Sequence, residues 1–259
     1  MRRIPELRLA LFGLGFGCAL AAEPASPEAA TEVWSPVPAI VTAPPGQPPS
    51  DAIVLFDGAN LDAWEPVRPD GPYWKIEDGA MVVVPSPKPC DQRTKRNFGD
   101  VQLHLEWRTP AEPKGDGQNR GNSGVFFMGL YELQILDSYD NRTYVNGQAG
   151  AVYKEHAPLV NASRPPGEWQ TYDVVFIAPR FSGDGALRSP ARMTAFHNGV
   201  LIQHDAVLTG PTPNGPTFHR ATLPPYAPHP AKLPLVLQDH RHAVAFRNIW
   251  IRDLPEVNP

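Results

Sequence analysis

The sequence predicts an all-β protein, an antiparallel two-sheet β-sandwich, and three observations carry that prediction. First, from residue 53 onward no segment keeps the i, i+3, i+4, i+7 apolar spacing of a helix. Short apolar and aromatic runs appear instead, at 53–56, 81–84, 101–107, 124–128, 131–136, 149–153, 169–177, 191–197, 200–204, 233–238 and 244–251. Second, the gaps between them are filled by turn residues. The chain has 32 prolines in 259 residues, where average usage gives roughly 13. Third, Asn198-Gly199 sits between two of the runs, a pair that suits a tight hairpin turn. Many short strands with frequent turns indicate a sandwich or barrel rather than βαβ units. There is no internal repeat, and one domain is expected over residues 51–254.

The N-terminus reads as an export signal. Arg2, Arg3 and Arg8 supply positive charge, and residues 9–20 form a short run that is apolar apart from its glycines. Ala19-Leu20-Ala21 fits the small-x-small cleavage rule, giving a signal peptide of residues 1–21 with Ala22 as the first mature residue. The run falls short of the ~20 apolar residues of a stable span, so no membrane anchor is expected after cleavage. A lipid-modified Cys18 is the competing reading, but Gly15-Phe16-Gly17 match a lipoprotein cleavage box poorly. A periplasmic or secreted location follows. Residues 22–50 are rich in Pro, Ala, Ser and Thr and read as an extended or disordered spacer. Once the signal is removed, Cys90 is the one cysteine left, so the exported fold must stand on its core without an internal disulfide.

Net charge is -4, and no basic stripe marks a nucleic-acid partner. Within the domain, Val101 to Arg108 alternates cleanly. Val101, Leu103, Leu105 and Trp107 would face the core, and Gln102, His104, Glu106 and Arg108 would face outward. Residues 121–138 then run from the polar turn Gly121-Asn122-Ser123-Gly124 into two apolar segments. The second places Glu132 and Gln134 on one face and Tyr131, Leu133 and Ile135 on the other. A carboxylate and an amide raised from an apolar segment are costly to bury unless something polar meets them. This face is expected to be the floor of a ligand site. Glu106 and Arg108 either extend that floor or belong to the solvated face usual for an antiparallel sheet. Residues 209–232 form a Pro-rich excursion, with His219 and His229, able to cover one edge of a site. Near the C-terminus, Asp239-His240 follows an apolar run directly.

Several signatures are absent: G-x-S-x-G, G-x-x-x-x-G-K-[ST], H-E-x-x-H and C-x-x-C. This argues against a serine hydrolase, an NTPase and the common zinc enzymes. A conventional glycosidase needs two carboxylates about 5 to 10 Å apart. Glu106 and Glu132 would serve if their strands were neighbours. His240 beside Asp239, and His156 after Glu155, are candidate bases, because imidazole titrates near neutral pH. For any single histidine the commoner role is that of a loop residue capping a turn. Tyr131, Tyr139, Tyr153 and Trp169 are either stacking platforms for sugar rings or core.

The chain resembles the 3-keto-disaccharide hydrolase family. The resemblance lies in Leu55-Phe56-Asp57-Gly58 with Leu61, Asp62 and Trp64; in Trp74-Lys75-Ile76-Glu77-Asp78-Gly79; in Gly121-Asn122-Ser123-Gly124-Val125; in residues 131–138; in Pro166-Gly167-Glu168-Trp169; in Asn198-Gly199; and in Leu237-Gln238-Asp239-His240 followed by residues 246–250. One departure stands out. A glycine is expected after the Asp-His pair, and Arg241 stands there.

The resemblance implies a concanavalin A-like jelly roll and cleavage of glycosides whose sugar carries a ketone at C3. Such a ketone acidifies the proton on C2. A base removes it, the group on C1 leaves by β-elimination, and water adds later. The reaction needs a base, a stabiliser for the enolate oxygen and an acid for the leaving oxygen. Glu132 or His240 is expected as the base, with Glu106 as a further catalytic candidate. Arg108 or Asn122 would contact the enolate or sugar hydroxyls, with Gln134 and Asp239 positioning and Tyr153 and Trp169 against the sugar. A divalent metal ion could polarise the ketone instead, with no ligands assignable from the sequence. The partner is a small saccharide. A non-catalytic carbohydrate-binding module and a conventional sandwich glycosidase are the competing readings.

Overall fold

The structure, a computed structural model, describes residues 31–213 and 223–255. The expected signal peptide lies outside the described residues. Contacts divide the chain into a unit of residues 1–40 and a unit of residues 41–259. In the first, the described residues form no strand, and Trp34 is exposed with its indole donating to Glu32 Oε2 at 3.0 Å.

The second unit holds the sandwich expected from the sequence. Its strands are β1 (Ile53–Phe56), β2 (Trp64–Pro66), β3 (Lys75–Glu77), β4 (Ala80–Val82), β5 (Gln92–Phe98), β6 (Val101–Arg108), β7 (Ser123–Phe127), β8 (Tyr131–Ile135), β9 (Gln170–Ile177), β10 (Arg180–Phe181), β11 (Leu187–Ser189), β12 (Arg192–His197), β13 (Val200–Val207), β14 (Leu233–Leu237) and β15 (Ala245–Asp253). No helix among the described residues is long and apolar enough to cross a membrane. One sheet runs β13-β12-β9-β6-β15-β4-β3, with β1 also on β15, and the other runs β2-β5-β14-β7-β8. Strands β10 and β11 form a separate small ribbon. Every pairing named here is antiparallel. The chain crosses repeatedly between the two sheets, as in a jelly roll.

Alternation explains the core. On β6 the residues Val101, Leu103, Leu105 and Trp107 are buried, while their neighbours are half-exposed. They meet Tyr131, Leu133 and Ile135 of the opposite sheet in one apolar cluster. Fully burying each such side chain contributes roughly 1.5–3 kcal/mol. Asn198-Gly199 makes the turn between β12 and β13, both residues at positive φ, 52° and 79°. Strand β15 bends at Asn248, at φ 46°. Before this bulge it pairs with β4, and after it with β1, so one strand serves two partners.

Strand β8 is the edge of the five-stranded sheet, and an open edge exposes unpaired backbone. Here residues 150–153 cover it. Gln134 N donates to Ala151 O and Tyr153 N to Glu132 O, and Gly150 N donates back to Gln134 O. This cover turns the outer face of β8 into the bottom of a cavity.

Candidate functional site

The cavity has a volume of about 530 Å³ and lies on the outer face of the five-stranded sheet. Register builds its floor. Phe126 pairs with Glu132 and Gly124 with Gln134 across β7 and β8, and cross-strand partners share a face. Gly124 has no side chain there, and the Glu132 carboxyl lies over it. A Cβ on residue 124 would sit 2.3 Å from Glu132 Oε1. Glu132 is 3% exposed, so its carboxyl is almost wholly removed from water. Burial, and secondarily the charge of Asp91, push its pKa well above the usual carboxylate range. Both causes favour the uncharged form of the side chain.

Gln134 stands beside it. With its amide nitrogen turned to the carboxyl, Gln134 donates to Glu132 Oε1 and to the Ser123 carbonyl, each at 2.9 Å. In the opposite orientation the nitrogen reaches Gln118 Oε1 at 3.1 Å and Gly147 O at 3.3 Å, and the amide oxygen faces the carboxyl. An ionised carboxylate accepts from the nitrogen, and a protonated one donates to the oxygen. With its nitrogen on Oε1, the amide leaves the proton of an uncharged Glu132 free for a ligand in the cavity. From the opposite sheet, Tyr172 donates its hydroxyl to Gln134 O at 2.8 Å, which ties the floor to the core.

The walls come from loops. Gln118 and Asn122 stand on one side, joined by a 2.8 Å bond from Asn122 Nδ2 to Gln118 O. Tyr144, Tyr153 and Lys154 form another, and Thr212 with Pro213 a third. Thr212 Oγ1 accepts from Glu132 N at 2.8 Å. The Pro-rich excursion thus reaches the site at its start, while His219 lies outside the described residues. The last wall is the 238–242 loop, with Gln238 and His240 on the cavity. Asp239 is buried beneath it and anchors the turn. Its carboxylate accepts from Cys90 N and Arg241 N, each at 2.9 Å, and its own N–H donates to Asp91 at 2.8 Å. Arg241 adopts φ 64°, in the left-handed region that favours glycine, at the position where the sequence departs from expectation. Burial, then the neighbouring His242, lower the pKa of His240, so its imidazole is neutral and able to take a proton.

The structure thus brings Glu132, His240, Asn122, Gln134 and Tyr153 to one cavity, with Asp239 just behind it. It separates three other expected residues from them. Glu106 and Arg108 belong to β6, in the eight-stranded sheet, and their strand is not a neighbour of β8. Glu106 is paired with Arg247 at 2.6 Å and Asn248 at 2.9 Å. Arg108 lies 4.6 Å from the Trp169 ring, and Arg247 lies 4.1 Å from the same ring. Trp169 is therefore taken up by two guanidinium groups on that other sheet. The floor formed by Glu106, Arg108, Glu132 and Gln134, and the Glu106/Glu132 pair, do not form, because alternation fixes a residue's face but not which strands become neighbours. His156 bonds to Val207 O at 2.9 Å rather than lining the cavity. Tyr131 is core, with its hydroxyl on His229.

Tyr144, Gln118 and Thr212 escaped the sequence reading as site residues, and Gln238 entered it only as the end of an apolar run and part of the family motif. They lie on loops without a pattern, and only the fold gathers them. Among the described residues no group of three or more His, Cys, Asp or Glu side chains is placed to hold a metal ion.

The family described as the 3-keto-alpha-glucoside-1,2-lyase-like domain matches residues 51–252. The chain belongs to this family. It is 42% identical to a solved structure from Parabacteroides distasonis named a "putative glycosyl hydrolase", covering 88% of this chain and 97% of that one, with a TM-score of 0.79. A second structure of the same name and organism is 21% identical, covering 79% of this chain and 94% of the other at a TM-score of 0.53, and shares the fold. Among curated proteins none matches the chain.

Proposed function

We propose that this protein is a carbohydrate-active enzyme that cleaves the C1–O bond of 3-keto-glycosides by elimination. The family membership supports a glycosidase-like enzyme with a saccharide ligand. One observation carries the finer reading. Among the described residues lining the cavity, Glu132 bears the one carboxyl group, and burial favours its uncharged form. An oxocarbenium mechanism needs two carboxyl groups, one of them ionised. A ketone that activates its own neighbour needs one base and an oxyanion partner.

The two titratable groups divide those tasks. Neutral His240, on the open wall, removes the C2 proton. The electron pair passes into the enolate, and negative charge develops on the C3 oxygen. The Glu132 carboxyl, kept uncharged, donates a hydrogen bond there. A buried neutral acid is suited to this because it loses no hydration as charge develops. Asn122 and Gln118 supply donors and acceptors for sugar hydroxyls. The enolate then collapses and expels the C1 substituent, after which water can add.

Turnover of 3-keto-trehalose against trehalose tests this. Activity on the keto sugar alone is expected. Equal turnover of trehalose would sink the keto-specific reading, and tight binding without turnover of either would leave a binding module. The same reading extends to location, with residues 1–21 directing export. N-terminal sequencing of the exported protein should begin at Ala22, and retention of Met1 would refute cleavage.

A further inference from the structure

We propose that Tyr144, backed by Tyr153, is the acid that protonates the departing glycosidic oxygen. The inference rests on the elimination reading above, which assigns a base and an oxyanion donor but leaves the leaving group without a proton. Both phenols line the cavity, on the wall beside Glu132. Their oxygens are 2.6 Å apart, with the rings tilted at 54°. In such a pair one hydroxyl donates to its partner, and the partner's own proton is left for another acceptor.

The geometry selects Tyr144 as the giver. Tyr153 belongs to the segment that covers the edge of β8, its N–H bonded to Glu132 O at 3.2 Å. Tyr144 stands outside it, lining the cavity and 42% exposed. Its ring is seated on Gly147, where a Cβ would lie 2.0 Å from Cε2, so the absence of a side chain there sets the ring position. Lys154 N donates to Asn146 O at 2.7 Å, which locks the two tyrosine segments together, and Lys154 Nζ lies 5.6 Å from the Tyr153 ring. Burial raises the pKa of both phenols, but their shared hydrogen bond acts oppositely on them. It keeps Tyr153 protonated and favours the ionised form of Tyr144.

The step balances. His240 takes the C2 proton, and the electrons of that bond end as the C1=C2 double bond. The C3 ketone re-forms and the C1–O bond breaks. The aglycone oxygen takes the Tyr144 proton, leaving a phenolate that accepts from the Tyr153 hydroxyl. Solvent carries the proton from His240 back to Tyr144. The products are an enone sugar and a free alcohol.

The test compares two substrates whose leaving groups differ in their need for a proton, p-nitrophenyl 3-keto-glucoside and 3-keto-trehalose. Tyr144→Phe should lower kcat/KM on 3-keto-trehalose by about 10²-fold or more, in the range of general acid catalysis. On the p-nitrophenyl substrate, whose leaving group departs as a stable anion, the loss should stay below about fivefold. Tyr153→Phe should show the same split in smaller measure. It should also move the alkaline limb of the rate profile upward, because the Tyr144 phenolate loses its donor. Gly147→Ala keeps both hydroxyls but displaces the ring, and should reproduce the split if Tyr144→Phe folds poorly by its thermal midpoint. Equal losses on both substrates, or none, would overturn the assignment while leaving elimination standing. A wild type inactive on both keto substrates would overturn the elimination reading and the acid with it.

Discussion

Strands β6 and β8 invite comparison because their sequences alternate in the same way. Each turns apolar residues to the core and raises polar ones, a glutamate among them, from the opposite face. On β6 the outward side chains find their partners on flanking strands. Glu106 is met by Arg247 and Asn248 of β15, and His104 by Asp173 of β9 at 2.7 Å and by the stacked ring of Trp250. Every one of these groups stays half-exposed or paired. On β8 the outward face lies under loops, and Glu132 is left against the backbone of Gly124 with one amide for company. A polar group satisfied by an opposite charge at a surface is structural. One stripped of water and left uncharged has its acid–base chemistry changed, and that separates the two faces.

The largest expected effect concerns rate. His240→Ala should lower kcat/KM on 3-keto-trehalose by roughly 10²–10⁴-fold. Glu106→Gln, on the other face, should change it less than about twofold by the same assay. In the wild type the rate should fall as the solution is acidified through the pKa of His240, which burial holds below its ordinary 6.5. An acid limb above that value would assign the base to another group. Next, Gly124→Ala adds one carbon into the Glu132 carboxyl. Misplacing a reacting group by about 1 Å can cost 10²-fold, and a loss between about 10- and 100-fold is expected. An unchanged rate would show that the carboxyl has room to move and that its seat is unimportant.

Stability should separate the two glutamates by sign. Glu132 has a folded pKa above its unfolded one. Its protonated form therefore supports the fold below the usual carboxylate range, and that support is lost as pH rises through the folded value. Glu132→Gln should accordingly unfold at higher urea than wild type at pH 8, with the gain shrinking toward pH 4. Glu106→Gln weakens a partly buried ion pair, and a loss of about 1 kcal/mol is expected. A loss in Glu132→Gln at pH 8 would break the contrast. The smallest effect on rate is expected of Trp169→Ala, which removes two cation–π contacts on the β6 face. About 1–2 kcal/mol of stability should go, with kcat/KM unchanged.

Much of the site was legible because a few residues were conspicuous where they stood. Glu132 and Gln134 interrupt an apolar strand, and Asp239-His240 follows one directly. The turn chemistry of Gly121-Asn122-Ser123-Gly124 placed Asn122 at the head of β7. Tyr144 and Thr212 carried no such signal. They sit in stretches without periodicity, and a tyrosine in a loop looks the same whether or not another phenol lies 2.6 Å away. Glu106, Arg108 and Trp169 were misleading for the opposite reason. Their strand pattern is clear, but pairing with β9 and β15 uses them up.

By itself the sequence determined most strands of the sandwich, their inward and outward faces, the hairpin at Asn198-Gly199 and the pool of polar groups from which a site could be built, though it left β2, β3, β5, β10 and β11 unmarked and its run at 149–153 forms no strand. Those are local properties, set by a two-residue period and by turn residues that tolerate positive φ. The tertiary structure decided which polar face became a site. Sheet order comes from pairings between strands far apart in the chain, and these put β6 and β8 in different sheets. Loop cover decided the rest, since the segment that closes the edge of β8 takes Glu132 out of water. Desolvation depends on everything packed around a group, so no single stretch of sequence could state it.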